Sequence, residues 1–334
     1  MSKAPDKPDK PAARYWKPLA ALTGAVAAVA GAAAVNAAVA RPLGSLPNLI
    51  GGDAGWYDWR GRRIAWTRRG SGPAILLVHS IHAAGWSYEW RHAVDRLAAG
   101  GYTVWTLDLL GFGRSERPDL DYSARLYVDV QRDFISEAIG EPTVLVASSL
   151  SGAHAVAAAA GFKPVTRLVL VGAPGITRLT NTPKPLNDAT HAVLDAPLAG
   201  QALFNALVSR PSMAAFLRRT YYDPTRVTPE LLDAYQATAH QPGARYAVAA
   251  FVGQALNLYV GGALGRVRQP ILLTWGREAK EVPLTELDAY RELRPDAAVR
   301  TFEQCGALPH DEKAEEWCAA VLEFVGAGRA AGVA

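Results

Sequence analysis

Ser149 is the residue of this chain whose surroundings could make it reactive. It lies in Thr143-Val-Leu-Val-Ala-Ser-Ser-Leu-Ser-Gly-Ala-His-Ala-Val156, where a β-branched apolar run passes without a break into an alanine-rich helical stretch. Ala147 stands two residues before it and Ser151 two after, with Gly152 next. That small-x-Ser-x-small spacing suits a strand-to-helix elbow. The serine takes a strained backbone there, and the strand and helix backbones pass too close for large neighbours. A serine hydroxyl becomes a nucleophile only when a base accepts its proton, and an acid orients that base. Ser148 and Ser151 read as polar fillers of the turn.

The elements needed to hold such a turn occur in order along the chain. Pro73–Val78 and Tyr102–Leu107 are buried-strand runs ahead of it, and Arg167–Val171, Ile271–Trp275 and Ala298–Phe302 follow. A helix is expected from Asp311 to Phe324. Strands alternating with helical patterns predict a mostly parallel sheet covered on both faces. About a hundred residues between Val171 and Ile271 lack a sheet pattern. There, Leu198–Ser209 and Leu231–His240 have helical spacing and Tyr246–Val260 is apolar and alanine-rich, with Pro185, Pro211, Pro224 and Pro242 as punctuation.

These motifs, in this order, resemble the α/β-hydrolase family over roughly residues 54 to 326. Val78-His79-Ser80 is similar to its strand-end His-Gly, and Asp108 to Ser115 to its Asp-x-x-Gly-x-Gly-x-Ser loop. Trp275 to Pro283 resembles the segment that carries the acid, and Cys305 to Glu312 the segment that carries the base. The positions corresponding to acid and base are Ala279 and Ala307. The resemblance implies an α/β-hydrolase fold with a helical cap inserted after the sixth strand: core residues 54–175 and 267–326, cap 176–266. It implies a serine esterase or lipase with a degenerate triad, and an oxyanion hole from the backbone N–H groups of Ile81 and Leu150. Loss of the histidine alone costs on the order of a millionfold in kcat in a serine protease.

Three histidines are candidates to replace the missing base. His310, three residues beyond Ala307 and about one helical turn away, is the favoured one, although it also fits the start of the last helix. His82 falls near the oxyanion side, and His79 suits bracing of loops. Glu278 or Glu281 could stand in for the acid. Phe204, Phe216, Tyr221, Tyr222, Phe251 and Tyr259 suit either an apolar pocket or packing of cap on core.

A separate statement comes from the N-terminus. Residues 1–17 hold five Lys or Arg against two Asp and read as a basic disordered tail. Residues 18–40 hold no Asp, Glu, Lys or Arg, and 23 residues at 1.5 Å each can cross a hydrocarbon layer of about 30 Å. A transmembrane helix is the favoured reading, its N-terminus cytoplasmic and the hydrolase-like domain on the outer side. A signal peptide ending at Ala38-Val39-Ala40 and a buried alanine-rich helix are the other two.

The net charge is +4, of which the tail supplies +3, so no nucleic-acid surface is expected. Cys305 and Cys318 are the only cysteines. Their spacing suggests no metal site, and pairing in an oxidising compartment stays open. No cofactor is implied. The expected partners are the lipid bilayer, an apolar small molecule or ester, and a membrane protein. The chain is therefore an esterase-like hydrolase working through Ser149 and an unconventional base, or a pseudoenzyme that binds an apolar ligand or a partner.

Overall fold

The computed structural model describes residues 45–177 and 198–327, together with Gly31, Ala34, Asn36, Asp188, Val193 and Ala196. The expected tail, nearly all of segment 18–40, Pro185 and part of the expected cap lie outside the described residues. Among the described residues no helix is long and apolar enough to cross a membrane.

The strands are β1 (Asp53–Trp59), β2 (Arg62–Arg69), β3 (Ala74–Val78), β4 (Thr103–Leu107), β5 (Thr143–Ser148), β6 (Val165–Val171), β7 (Ile271–Gly276) and β8 (Ala298–Phe302). They form one sheet in the order β1-β2-β4-β3-β5-β6-β7-β8, antiparallel at β1–β2 and β2–β4 and parallel beyond. The central strands are apolar on both faces because both are covered. Leu76, Leu145, Leu168, Leu170 and Leu273 enter one core. Ile75, Leu77, Val144, Val146, Val169, Val171 and Leu272 enter the other, alternating as the two-residue period requires.

The β1–β2 hairpin was not among the expected strands. Its signals are the alternating Tyr57, Trp59 and Ile64 and the two-residue turn Arg60-Gly61, both at positive φ.

The helices are α1 (Val94–Ala99), α2 (Ala124–Asp133), α3 (Leu150–Ala159), α4 (Ala199–Leu207), α5 (Arg210–Thr220), α6 (Pro229–Ala239), α7 (Ala244–Val252), α8 (Gly261–Leu264), α9 (Leu284–Leu293), α10 (Pro309–Glu312) and α11 (Ala314–Gly326). Helices α4 to α8 lie between β6 and β7, in the stretch 176–266 expected to form the cap. Pro211, read as a break, instead sits in the first turn of α5, where its missing N–H costs no helix bond. The apolar, alanine-rich stretch Tyr246–Val260 is helical as far as Val252, before Gly253 and a Gln254 at φ 64°. The last helix is broken at Lys313, so Pro309–Glu312 forms a separate turn.

Candidate active site

Ser149 has φ 50° and ψ −131°, between the end of β5 and the first residue of α3. This strained conformation turns the chain from strand to helix within one residue. Its N–H donates to the Val171 carbonyl on β6 at 2.8 Å. A side chain at Gly152 would collide with Ala173, which explains the small residues around the turn. Ser151 is more than a filler: its hydroxyl donates to the His79 carbonyl at 2.6 Å, fastening the elbow to the loop after β3. Ser148 Oγ is buried and accepts or donates no hydrogen bond.

The loop after β3 is braced from beneath. His79 Nε2 accepts from the Leu109 N–H at 3.0 Å, so its proton sits on Nδ1, 2.8 Å from the Ser80 carbonyl. Burial keeps this ring neutral by lowering its pKa. Asp108 receives the N–H of Ser87 at 2.7 Å and both the N–H and guanidinium of Arg114. Burial alone would raise its pKa; the Arg114 charge, with the hydrogen bonds from Ser87 and Arg114, holds it below the usual range.

Next to this frame lies a cavity of about 490 Å³ lined by Ser149, Leu150, Ile81, His82, Ala279 and Ala307. Phe216, Leu217, Tyr235 and Phe251 close it from the cap side, and Trp275 and Val282 from the sheet side. Ile81 and Leu150 therefore flank Ser149 at the cavity wall, and Leu150, as the first residue of α3, carries one of the N–H groups that a helix leaves without an internal partner. Ala279 and Ala307, far apart in sequence, meet there because their loops are locked together. Glu278 N–H donates to Cys305 O at 3.0 Å, and Cys305 N–H to the Glu278 carboxylate at 2.9 Å. Any side chain on Gly276 would strike the carbonyl oxygens of Cys305 and Gly306. Ala307 N–H donates to Thr220 O at 3.0 Å, so the second loop also holds the end of α5.

His310 is not among the residues that line the cavity. It is fully buried, with Nε2 2.9 Å from Glu89 Oε1. Its ring lies 4.3 Å from that of Trp90 and 5.8 Å from that of Trp317. Pro309 opens α10, and His310 is the second residue of that turn. The Glu89 carboxylate also accepts from the Ser80 N–H at 2.9 Å and from the Ser80 hydroxyl. Burial would raise the Glu89 pKa, but its bond and charge contact with His310, helped by Ser80, bring it down to about 2.

Among the described residues His82 is the one histidine lining the cavity. Its Nδ1 accepts the Ala84 N–H at 3.2 Å, and burial lowers its pKa to about 4. The neutral ring thus has its proton on Nε2 and no free lone pair for a serine proton. Of the two candidate acids, Glu278 is spent on the loop clamp. Glu281 lines the cavity and lies 3.4 Å from the Arg219 guanidinium.

Cys305 and Cys318 are both free and buried, so the pairing left open by the sequence is not formed. No cluster among the described residues could hold a metal ion.

Residues 75–321 match the Alpha/beta hydrolase family. An uncharacterized protein of Mycobacterium tuberculosis is 30% identical over 267 residues, 76% of each chain. A 2-hydroxy-6-oxo-6-phenylhexa-2,4-dienoate hydrolase of Comamonas testosteroni is 27% identical over 78% of this chain and 91% of its own. Among solved structures, a meta-cleavage product hydrolase of Pseudomonas fluorescens superposes with a TM-score of 0.67 at 25% identity, over 84% of this chain and all of the other.

Proposed function

Because the chain belongs to the alpha/beta hydrolase family, we propose that it is a membrane-anchored, serine-hydrolase-like protein whose triad is degenerate at Ala279 and Ala307. Its cavity binds an apolar ligand bearing a carbonyl or ester group against Ser149, with the N–H groups of Ile81 and Leu150 facing the carbonyl oxygen. The observation that carries this reading is the composition of one cavity wall. Ser149, Ala279 and Ala307 share it, and the single histidine there has its Nδ1 occupied by Ala84.

Without an imidazole to take the serine proton, ester hydrolysis is confined to what oxyanion contacts and binding provide, roughly a thousandfold to ten-thousandfold over water. The ligand class fits the walls, which are mostly apolar, with Ser80, His82, Thr177, Thr220, Tyr235 and Glu281 as polar points beside Ser149. It also fits the name of the Comamonas relative, whose substrate joins an oxo group to a phenyl ring. Residues 18–40 serve as the anchor, with the basic tail on the cytoplasmic side and the hydrolase-like domain outside.

The test is labelling of the full chain with a fluorophosphonate probe beside Ser149→Ala, together with binding of a fluorescent apolar ester. Slow labelling that depends on Ser149, with ester binding retained in Ser149→Ala, is the expected result. Labelling as fast as that of a complete triad would sink the degenerate reading.

A further inference from the structure

One polar side chain stands out in the uncharged segment 18–40: Asn36, its only amide. It is 7% exposed, and its partners belong to the cap. Asn36 Nδ2 donates to Leu198 O at 3.2 Å, Asn205 Nδ2 donates to Asn36 Oδ1 at 2.9 Å, and Gln201 Nε2 donates to Asn205 Oδ1 at 3.0 Å. Asn36 is therefore fastened to α4 and the residue before it. Asn36 lies five residues before Arg41, where the uncharged run ends.

The same part of the cap exposes large apolar side chains. Leu203 and Leu207 on α4, Phe216 on α5 and Val252 at the end of α7 are 50%, 41%, 41% and 41% exposed. Three of them, Leu207, Phe216 and Val252, also line a second chamber of about 130 Å³. A residue that is both exposed and chamber-lining forms a rim. This chamber shares His82, Phe216, Leu217, Tyr235 and Phe251 with the cavity that holds Ser149. The chamber at the cap surface thus adjoins the cavity that holds the serine across a common wall.

We propose that this edge of the cap, α4 with Phe216 and Val252, rests on the outer leaflet of a lipid bilayer, and that ligand enters the apolar chamber from the membrane. The inference rests on the anchor reading above. A rim of leucine, phenylalanine and valine facing water is unfavourable, and lipid covering it would remove that exposure. An anchor docked on the adjoining helix brings lipid within reach of that rim, and a ligand that partitions into lipid reaches Ser149 without crossing water.

The experiment places an environment-sensitive fluorophore on the full chain at Leu207→Cys, at Val252→Cys and, as a control, at Glu323→Cys on α11. The native cysteines are buried and stay unlabelled. The chain is reconstituted into vesicles of phosphatidylcholine and phosphatidylglycerol carrying a shallow spin-labelled lipid, and flotation is scored separately. Quenching severalfold stronger at 207 and 252 than at 323 is expected. Asn36→Leu keeps the segment apolar and should leave flotation unchanged while lowering the quenching at 207. A chain that floats but shows equal quenching at the three sites overturns the proposal and leaves the anchor intact. A chain that does not float overturns both. A blue shift at 207 in detergent without lipid quenching in vesicles assigns the rim to a second copy or a protein partner, and also overturns it.

Discussion

The Nε2 of His310 lies 2.9 Å from Oε1 of Glu89, with both side chains out of contact with solvent. Glu89 in turn receives the N–H and hydroxyl of Ser80, beside Ile81. The histidine closest in sequence to the expected base position is thus a buttress beneath the loop after β3.

Glu89→Gln is expected to cost about 3 kcal/mol at neutral pH, from a displacement of the carboxyl from its ordinary 4.5 to about 2. The folded-state pKa is depressed, so the contribution is fully present above pH 4.5 and is lost as pH falls toward 2. Urea unfolding across that window should show a slope in the native chain that is reduced in the variant. Equal slopes would mean that the carboxylate is not held by this pair.

His310→Gln should lower stability yet leave the rate of fluorophosphonate labelling of the folded chain unchanged. A large fall in labelling at a temperature where circular dichroism reports full folding would return His310 to the reaction.

Installing a base and an acid should restore what the cavity lacks. Ala307→His combined with Ala279→Asp is expected to raise the labelling rate by roughly a hundredfold to ten-thousandfold, whereas Ala279→Asp alone should change little, since it has no imidazole to orient. Intact-protein mass spectrometry against time reads both. A double variant that folds but labels no faster would show that the two loops do not present these positions to Ser149.

His82 and His154 are both lowered to about 4 by burial, against an ordinary value of 6.5. Unfolding therefore takes up protons between these values, and stability present above pH 6.5 drains as pH falls toward 4. By pH 5 each ring accounts for about 2 kcal/mol. Nitrogen NMR of the native chain at pH 6 should find His82 neutral with its proton on Nε2; a doubly protonated ring there would contradict the bond from Ala84.

Gly276→Ala should destabilise by about 1–3 kcal/mol, as overpacking does elsewhere, because its methyl group would meet the carbonyls of Cys305 and Gly306. The thermal midpoint measures this directly.

Much of this was legible in the sequence wherever a pattern was continuous. The parallel strands announced themselves as unbroken apolar runs, since a sheet covered on both faces permits nothing else. The elbow was legible because steric crowding restricts Ala147, Ser151 and Gly152. The β1–β2 hairpin was harder to see, as its alternation is interrupted by Arg62 and Arg63 and its turn lacks an Asn-Gly signature. Helix α5 was hidden by Pro211, which ends a helix in one place and begins one in another. The position of His310 was beyond sequence reasoning, because one tight turn at Pro309 decides which side of a loop a residue faces. The two alanines came within reach only through motif order, which says what should occupy a position and not what surrounds it.

The backbone of Ser149 behaves as a loaded spring. A non-glycine residue held at φ 50° and ψ −131° stores about 1–3 kcal/mol, a strain that glycine would relax. A chain that needed the sheet and cap only as a scaffold would gain stability by giving up that side chain. As the molecule stands, part of its folding energy goes into holding one hydroxyl at a cavity wall; under the proposed degenerate reading, the tension stored in the turn would serve the grip on a ligand's carbonyl more than the speed of its cleavage.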